Sequence, residues 1–147
     1  MNNKKKIFCL QGEQERGKSS TLIKLWETIL AKYKNGSNDD YVQLFVDANN
    51  YDFVGVITGV EGHKIGINSR GDDSNWIERW NKKLADNNCD IIFCACHQRG
   101  KTIDAIKAFE KIDYKVVFIP KEIIEGEKKQ EQINKKQAEE LLQQANL

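Results

Sequence analysis

The sequence predicts an α/β fold with a mainly parallel sheet and one antiparallel hairpin, on three observations. Short apolar runs alternate with amphipathic segments along most of the chain. One run, Asp90 to Cys96, is apolar at nearly every position, as in a strand covered on both faces. Two others, Phe53 to Val60 and Lys64 to Ser69, flank Glu61-Gly62-His63, which reads as a tight turn with His63 in it. With 147 residues, 39% of them hydrophobic, one core is expected, residues 1–120 forming the body and 121–147 a charged C-terminal helix of the same domain.

Taken in order, Lys6 to Leu10 is a short buried strand, followed by a polar loop flanked by glycines. From Lys18 to Lys34, the residues Leu22, Leu25, Trp26, Ile29, Leu30 and Tyr33 recur at helical spacing, and Asn35-Gly36 supplies the stop. Tyr41 to Asp47 reads as a strand ending in a carboxylate, and the hairpin follows. A helix starts near Ser74, capped by Asp73 or Ser74, carries Trp76, Ile77, Trp80 and Leu84 on one side, and ends around Asn87-Asn88. After the strand Asp90 to Cys96 comes the polar loop His97-Gln98-Arg99-Gly100-Lys101, with Thr102 placed to cap a helix bearing Ile103, Ile106 and Phe109. Lys115 to Ile119 is a further strand before Pro120. In the Lys-, Glu- and Gln-rich tail, Ala138, Leu141, Leu142 and Ala145 mark a weakly docking helix interrupted by Gly126, either solvated or a contact for a partner.

Charge excludes one class of function. Lys plus Arg number 23 against 22 Asp plus Glu, so no global basic field exists to coat nucleic acid nonspecifically. No apolar run is long enough to span a membrane, and the four-residue apolar stretch after the lysine-rich start is too short for a signal-peptide core, so a cytoplasmic protein is expected. Cys9, Cys94 and Cys96 sit inside apolar segments and, with Cys89, read as free thiols. Cys94 and Cys96 alternate along a strand, a spacing unlike the C-x₂₋₄-C knuckles of zinc sites.

Chemistry concentrates in one segment. Gly12-Glu13-Gln14-Glu15-Arg16-Gly17-Lys18-Ser19 fits G-x-x-x-x-G-K-[ST] and lies between a predicted strand and a predicted helix. With glycine near 7%, and roughly 6% for lysine and 12% for serine plus threonine, a random chain this long matches about 0.5% of the time, so the match carries information. Glycines let such a loop curl until successive amides converge on phosphate oxygens, and the helix behind it adds its positive end. Lys18, expected to face solvent, would set its ammonium against the β- and γ-phosphates. The Ser19 hydroxyl would ligate a bridging Mg²⁺, and Ser20 would reach the α-phosphate.

These residues resemble the P-loop NTPase superfamily, specifically over Lys6 to Tyr33. The resemblance implies a three-layer P-loop NTPase-like sandwich whose body, 1–120, binds a nucleoside triphosphate with Mg²⁺. The later arrangement of helix, strand pair and carboxylate-bearing loop is similar to the kinase and GTPase branch. Family members carry a second acidic motif at a strand end, for which Asp72 and Asp47 compete. The stretch Asn68-Ser-Arg-Gly71-Asp72 looks like the GTPase D-x-x-G loop with Asn68 in the Asp position, so Asp72 is preferred, with Gly71 offering its amide to the γ-phosphate. An N-K-x-D base-reading motif is missing, Asn81-Lys-Lys-Leu84 being the nearest match, which favours ATP over GTP.

Arg99, and secondarily Arg70, are placed to act as internal arginine fingers. Trp26, Trp76 and Trp80 fall at core spacings and read as packing residues, and Lys4-Lys5-Lys6 as a solvated strand entrance. Two activities are therefore expected in competition: an NTPase or small kinase acting on an unidentified acceptor, or a nucleotide-dependent switch with little turnover that engages a protein partner.

Overall fold

A computed structural model describes residues 5–12, 18–33, 52–98 and 100–147, together with the backbone of 41–47. The elements are β1 (Lys5–Gln11), α1 (Lys18–Tyr33), β2 (Tyr41–Asp47), β3 (Asp52–Val60), β4 (His63–Asn68), α2 (Ser74–Asp86), β5 (Ile91–Cys96), α3 (Lys101–Lys107) with a 3-10 extension Ala108–Ile112, β6 (Tyr114–Pro120) and α4 (Glu127–Gln144). Six strands form one sheet in the order β2-β3-β4-β5-β1-β6. The pairings β1–β5, β1–β6 and β4–β5 are parallel. Strand β3 runs against both β2 and β4, so a second antiparallel pairing joins the expected hairpin.

Alternation along the strands builds two cores. Phe8 and Leu10 of β1 and Phe93 and Ala95 of β5 join Leu22, Leu25 and Trp26 of α1 and Leu141 and Leu142 of α4. Ile7 and Cys9, with Ile92, Cys94 and Cys96, face the other way, toward Ile77 and Leu84 of α2 and Ala105 and Ile106 of α3. The result is an α/β/α arrangement of three layers, α1 and α4 on one face and α2 and α3 on the other. All six residues of β5 are buried, as its unbroken apolar run predicts. Where α1 crosses β3, Gly55 makes room: a Cβ there would lie 2.4 Å from the Trp26 ring. The four cysteines are free and buried. No described helix is long and apolar enough to cross a membrane.

Several local expectations are corrected. The β3–β4 turn is Glu61-Gly62 alone, both at positive φ (51° and 79°), and His63 is already in β4, paired with Val60 and 3.3 Å from Asp90. The positive φ pair matches a two-residue hairpin connection, which the twist of the strands favours. Asp73 caps α2, accepting from the amides of Asn75 and Trp76. Thr102 caps nothing: Gly100 precedes α3, and the buried Thr102 hydroxyl instead accepts from the His97 amide, pinning the loop after β5. Trp26 is buried, whereas Trp76 and Trp80 are half-buried on α2, their rings 5.5 Å apart, with Arg70 and Arg79 over them.

The tail departs furthest from expectation. Gly126 (φ 102°) precedes α4 and does not interrupt it. Ala138, Leu141, Leu142 and Ala145 are all buried in the core shared with α1, so the docking is firm. Leu141 is 1% exposed, and Leu141→Ala is expected to cost about 2–5 kcal/mol through the cavity it leaves. Urea denaturation measures this; a loss below about 0.5 kcal/mol would mean that α4 contributes little to the fold.

Candidate functional site

Because β1, β4, β5 and β6 are parallel, their carboxyl ends share one edge of the sheet, where open α/β folds gather ligands. Strand β3 is reversed, so its first residue, Asp52, lies at that same edge, paired in register with Asp47 at the end of β2. The N-terminus of α1 points there too, since Gly12 ends the described part of β1's exit and α1 opens at Lys18. Glu13, Gln14, Glu15, Arg16, Gly17 and Arg99, and the side chain of Asp47, lie outside the described residues.

Lys18 is buried, at 7% exposure, which corrects the expectation of a solvent-facing side chain. Its Nζ donates to the carbonyl oxygens of Gly12 at 2.8 Å and Cys96 at 2.9 Å. The Gly12 amide donates to the same Cys96 carbonyl at 3.2 Å, so the exits of β1 and β5 are tied together at the foot of α1. Burial lowers the Lys18 pKa, and its electrostatic interactions with Cys96, Cys9 and the Asp72 carboxylate work against that. A desolvated ammonium held by two neutral carbonyls is a cation still seeking an anion.

Ser19, the next residue, reaches across to β3. Its Oγ lies 2.7 Å from Asp52 Oδ1 and 3.0 Å from the Ser69 carbonyl oxygen. The buried Ser69 donates its own hydroxyl to the same Asp52 oxygen at 3.0 Å and accepts from the Phe53 amide at 2.8 Å. Asp52 is 8% exposed. The sequence does not single it out, because the apolar run starts only at Phe53 and a metal-holding carboxylate is expected at the end of a strand; in a reversed strand the equivalent position is the first one.

Asp72 and Arg70 pair with each other, Arg70 Nε to Asp72 Oδ1 at 2.9 Å, and that hydrogen bond raises the Arg70 pKa. Asp72 is exposed and bears on Lys18 through its charge, while Ser19 is in contact with Asp52. Ser20 is exposed on the first turn of α1. Gly71 is required by packing: a Cβ there would lie 2.3 Å from the main-chain carbon of Ala95, so the loop after β4 rests directly on the backbone of β5. Asn68 is fully buried and knits that loop to α2, its Oδ1 accepting from the Trp76 indole and the Arg70 amide and its Nδ2 donating to Asn81.

Lys121 borders the edge on the other side of β1. Its amide donates to the Gln11 carbonyl at 2.8 Å, and its Cβ lies 3.2 Å from where a Cβ on Gly12 would stand. It too is buried, and desolvation pushes its ammonium down to about 8.

Two measurements check this geometry. Gly71→Ala is expected to destabilise the protein by about 1–3 kcal/mol, since the obstruction is backbone and cannot rotate away; a neutral result in thermal denaturation would mean that the loop does not rest on β5. A lysine in an unfolded chain titrates near 10.4, so at Lys121 the folded protein binds fewer protons than the unfolded one from about pH 8 upward. The Lys121 contribution to stability should therefore rise with pH between those two values, by about 1–3 kcal/mol, while Cys89 and Tyr114, whose pKa values burial raises, work in the opposite direction. Urea denaturation of the wild type and Lys121→Met at both ends of the window isolates it: the wild type should gain stability relative to the variant.

No family model, curated protein or solved structure matches the chain.

Proposed function

We propose that the protein is P-loop NTPase-like and cytoplasmic, and binds a nucleoside triphosphate, ATP in preference to GTP, with Mg²⁺, hydrolysing it or passing its terminal phosphoryl group to an acceptor. The observation that carries the reading is the cluster of Lys18, Ser19 and Asp52 at the carboxyl edge, where the G-x-x-x-x-G-K-S spacing joins β1 to α1.

Lys18 holds a buried positive charge between the ends of two strands, and phosphate oxygens arriving there would replace the carbonyls of Gly12 and Cys96 as its partners. The positive end of α1 favours the same anion. The Ser19 hydroxyl, Asp52 carboxylate and Ser69 carbonyl are all oxygen donors, the set a Mg²⁺ ion takes when it binds through one or two carboxylates and substrate phosphates. The ion would supply charge neutralisation at the β- and γ-phosphates. Within the chain, Asp52 orients the Ser19 hydroxyl, and Ser69 holds Asp52 in place. Arg70, once released from Asp72, is the described arginine closest in role to a stabiliser of the transferring group, with Asp72 left to orient a nucleophile.

The switch reading keeps one specific support. Asn68 ties the 68–73 loop through Trp76 and Asn81 to α2, so a ligand ordering that loop differently would be felt along the helix and by a protein partner on that face.

Calorimetry and phosphate release with ATP and GTP in the presence of Mg²⁺ test the proposal. Lys18→Ala should lower affinity or turnover at least tenfold, and also destabilise by about 1–3 kcal/mol, since the Gly12 carbonyl loses its Lys18 donor and the Cys96 carbonyl keeps only the Gly12 amide. Asp52→Asn should weaken Mg²⁺-dependent binding about tenfold while keeping the fold. Binding of no purine triphosphate by the wild type would overturn the reading; tight binding without Lys18-dependent release would select the switch.

A further inference from the structure

We infer that the outer edge of β6 is a self-association surface, on which a second copy of this chain adds its own β6 antiparallel across a two-fold axis. The inference stands apart from the nucleotide reading. Strand β6 ends the sheet, pairing along its whole length with β1 on one side and with no described strand on the other. In a parallel ladder alternate residues turn their N–H and C=O groups away from the neighbour, so an end strand offers a row of main-chain donors and acceptors to any strand that arrives. Proteins blunt such edges with bulges, charges or proline. At the other end of the sheet the register of β2 on β3 shifts between Gln43 and Phe45. The register of β6 on β1 runs unbroken over all seven residues of the strand, and charge and proline are confined to its tips, at Lys115 and Pro120.

The side chains between those tips point the same way. Val116, Val117, Phe118 and Ile119 are all half-buried, whereas every residue of β5 is buried. Val117 and Ile119 pack at the margin of the core shared with α1 and α4, and Val116 and Phe118 at the margin of the core shared with α2 and α3. Both layers thus stop short of the last strand, and one more strand would extend both at once. Among the described residues three large hydrophobic side chains are exposed, Ile112 (49%), Ile123 (50%) and Ile124 (41%), and they bracket β6, one just before it and two just after.

An antiparallel second copy is the occupant that both ends fit. A two-fold axis through the middle of β6 brings the Ile112 end of one copy against the Ile123–Ile124 end of the other, and does so twice, so the exposed isoleucines of each copy meet those of its mate. Charge follows the same rule. At the amino end of β6, exposed Lys111 and Lys115, with Lys5 of β1 over the Tyr114 ring at 5.5 Å, outweigh Glu110 and Asp113. At the carboxyl end Glu122 and Glu125 are exposed, while Lys121 is buried. Antiparallel pairing sets the basic end against the acidic one, whereas parallel pairing would set like against like. The carboxyl edges of the two sheets then point in opposite directions, so neither copy covers the Lys18 of the other.

Sedimentation velocity on the full chain, from about 1 to about 300 µM, tests the inference together with residue-resolved amide hydrogen exchange at both extremes. The wild type should pass from monomer to dimer within that range, and the alternate amides of β6 turned away from β1 should exchange about fivefold or more slowly in the concentrated sample. Ile112→Asp/Ile123→Asp, altered at exposed positions and checked for an unchanged circular dichroism spectrum, should move the dimerisation midpoint about tenfold or more upward. Glu122→Lys/Glu125→Lys should weaken the dimer about fivefold, and adding Lys111→Glu/Lys115→Glu to it should restore the wild-type midpoint. A chain that stays monomeric throughout overturns the inference, even if an extended peptide then pairs with the edge. A dimer whose protection falls outside β6, measured on the wild type and so free of any substitution, overturns it as well, and so does a charge reversal at both ends that restores nothing.

Discussion

The buried ammonium of Lys18 is the constraint around which the carboxyl edge is organised. A charge in so dry a place must be partnered, and its partners are the main-chain carbonyls that begin the exit from β1 and end β5. Those carbonyls are available because the two strands are adjacent and parallel, in the register that sets Gln11 beside Cys96. The pairing in turn depends on β5 being apolar on both faces, so that α1 and α4 cover one side of it and α2 and α3 the other. One hydrogen-bonded cation thus reports on the whole layering.

Reversal of a single strand completes the cluster. Had β3 run with its neighbours, Asp52 would stand at the far edge of the sheet, a strand's length from α1. Running against them, it meets Ser19 and Ser69 at once, and one carboxylate oxygen receives both hydroxyls. The loop after β4 reaches that position only because Gly71 has no side chain to hold it off Ala95. Close approach of backbone to backbone is a packing role, and it suffices to explain this glycine without any ligand.

The C-terminal helix binds the two ends of the chain's logic together. Its apolar stripe closes the core over α1, and its glutamines hold the segment that leaves β6 beside Gly12. A helix so rich in charge reads as solvated, yet burial is decided by one stripe of four residues, and the polar majority either faces water or satisfies a neighbouring backbone.

Local pattern in the sequence determined the alternation of strands and helices, the hairpin and the Asp73 cap, because periodicity, capping chemistry and turn residues act over a few positions. It also marked β5 as central, since only a strand covered on both faces is apolar throughout. The tertiary structure alone decided that Lys18 is buried, that Asp52 is the carboxylate against Ser19, that Thr102 serves His97 and caps no helix, and that α4 is part of the core. Each of these depends on which strands are neighbours and in which direction they run. That choice is made by contacts between residues far apart in the chain, and no short window of sequence records it.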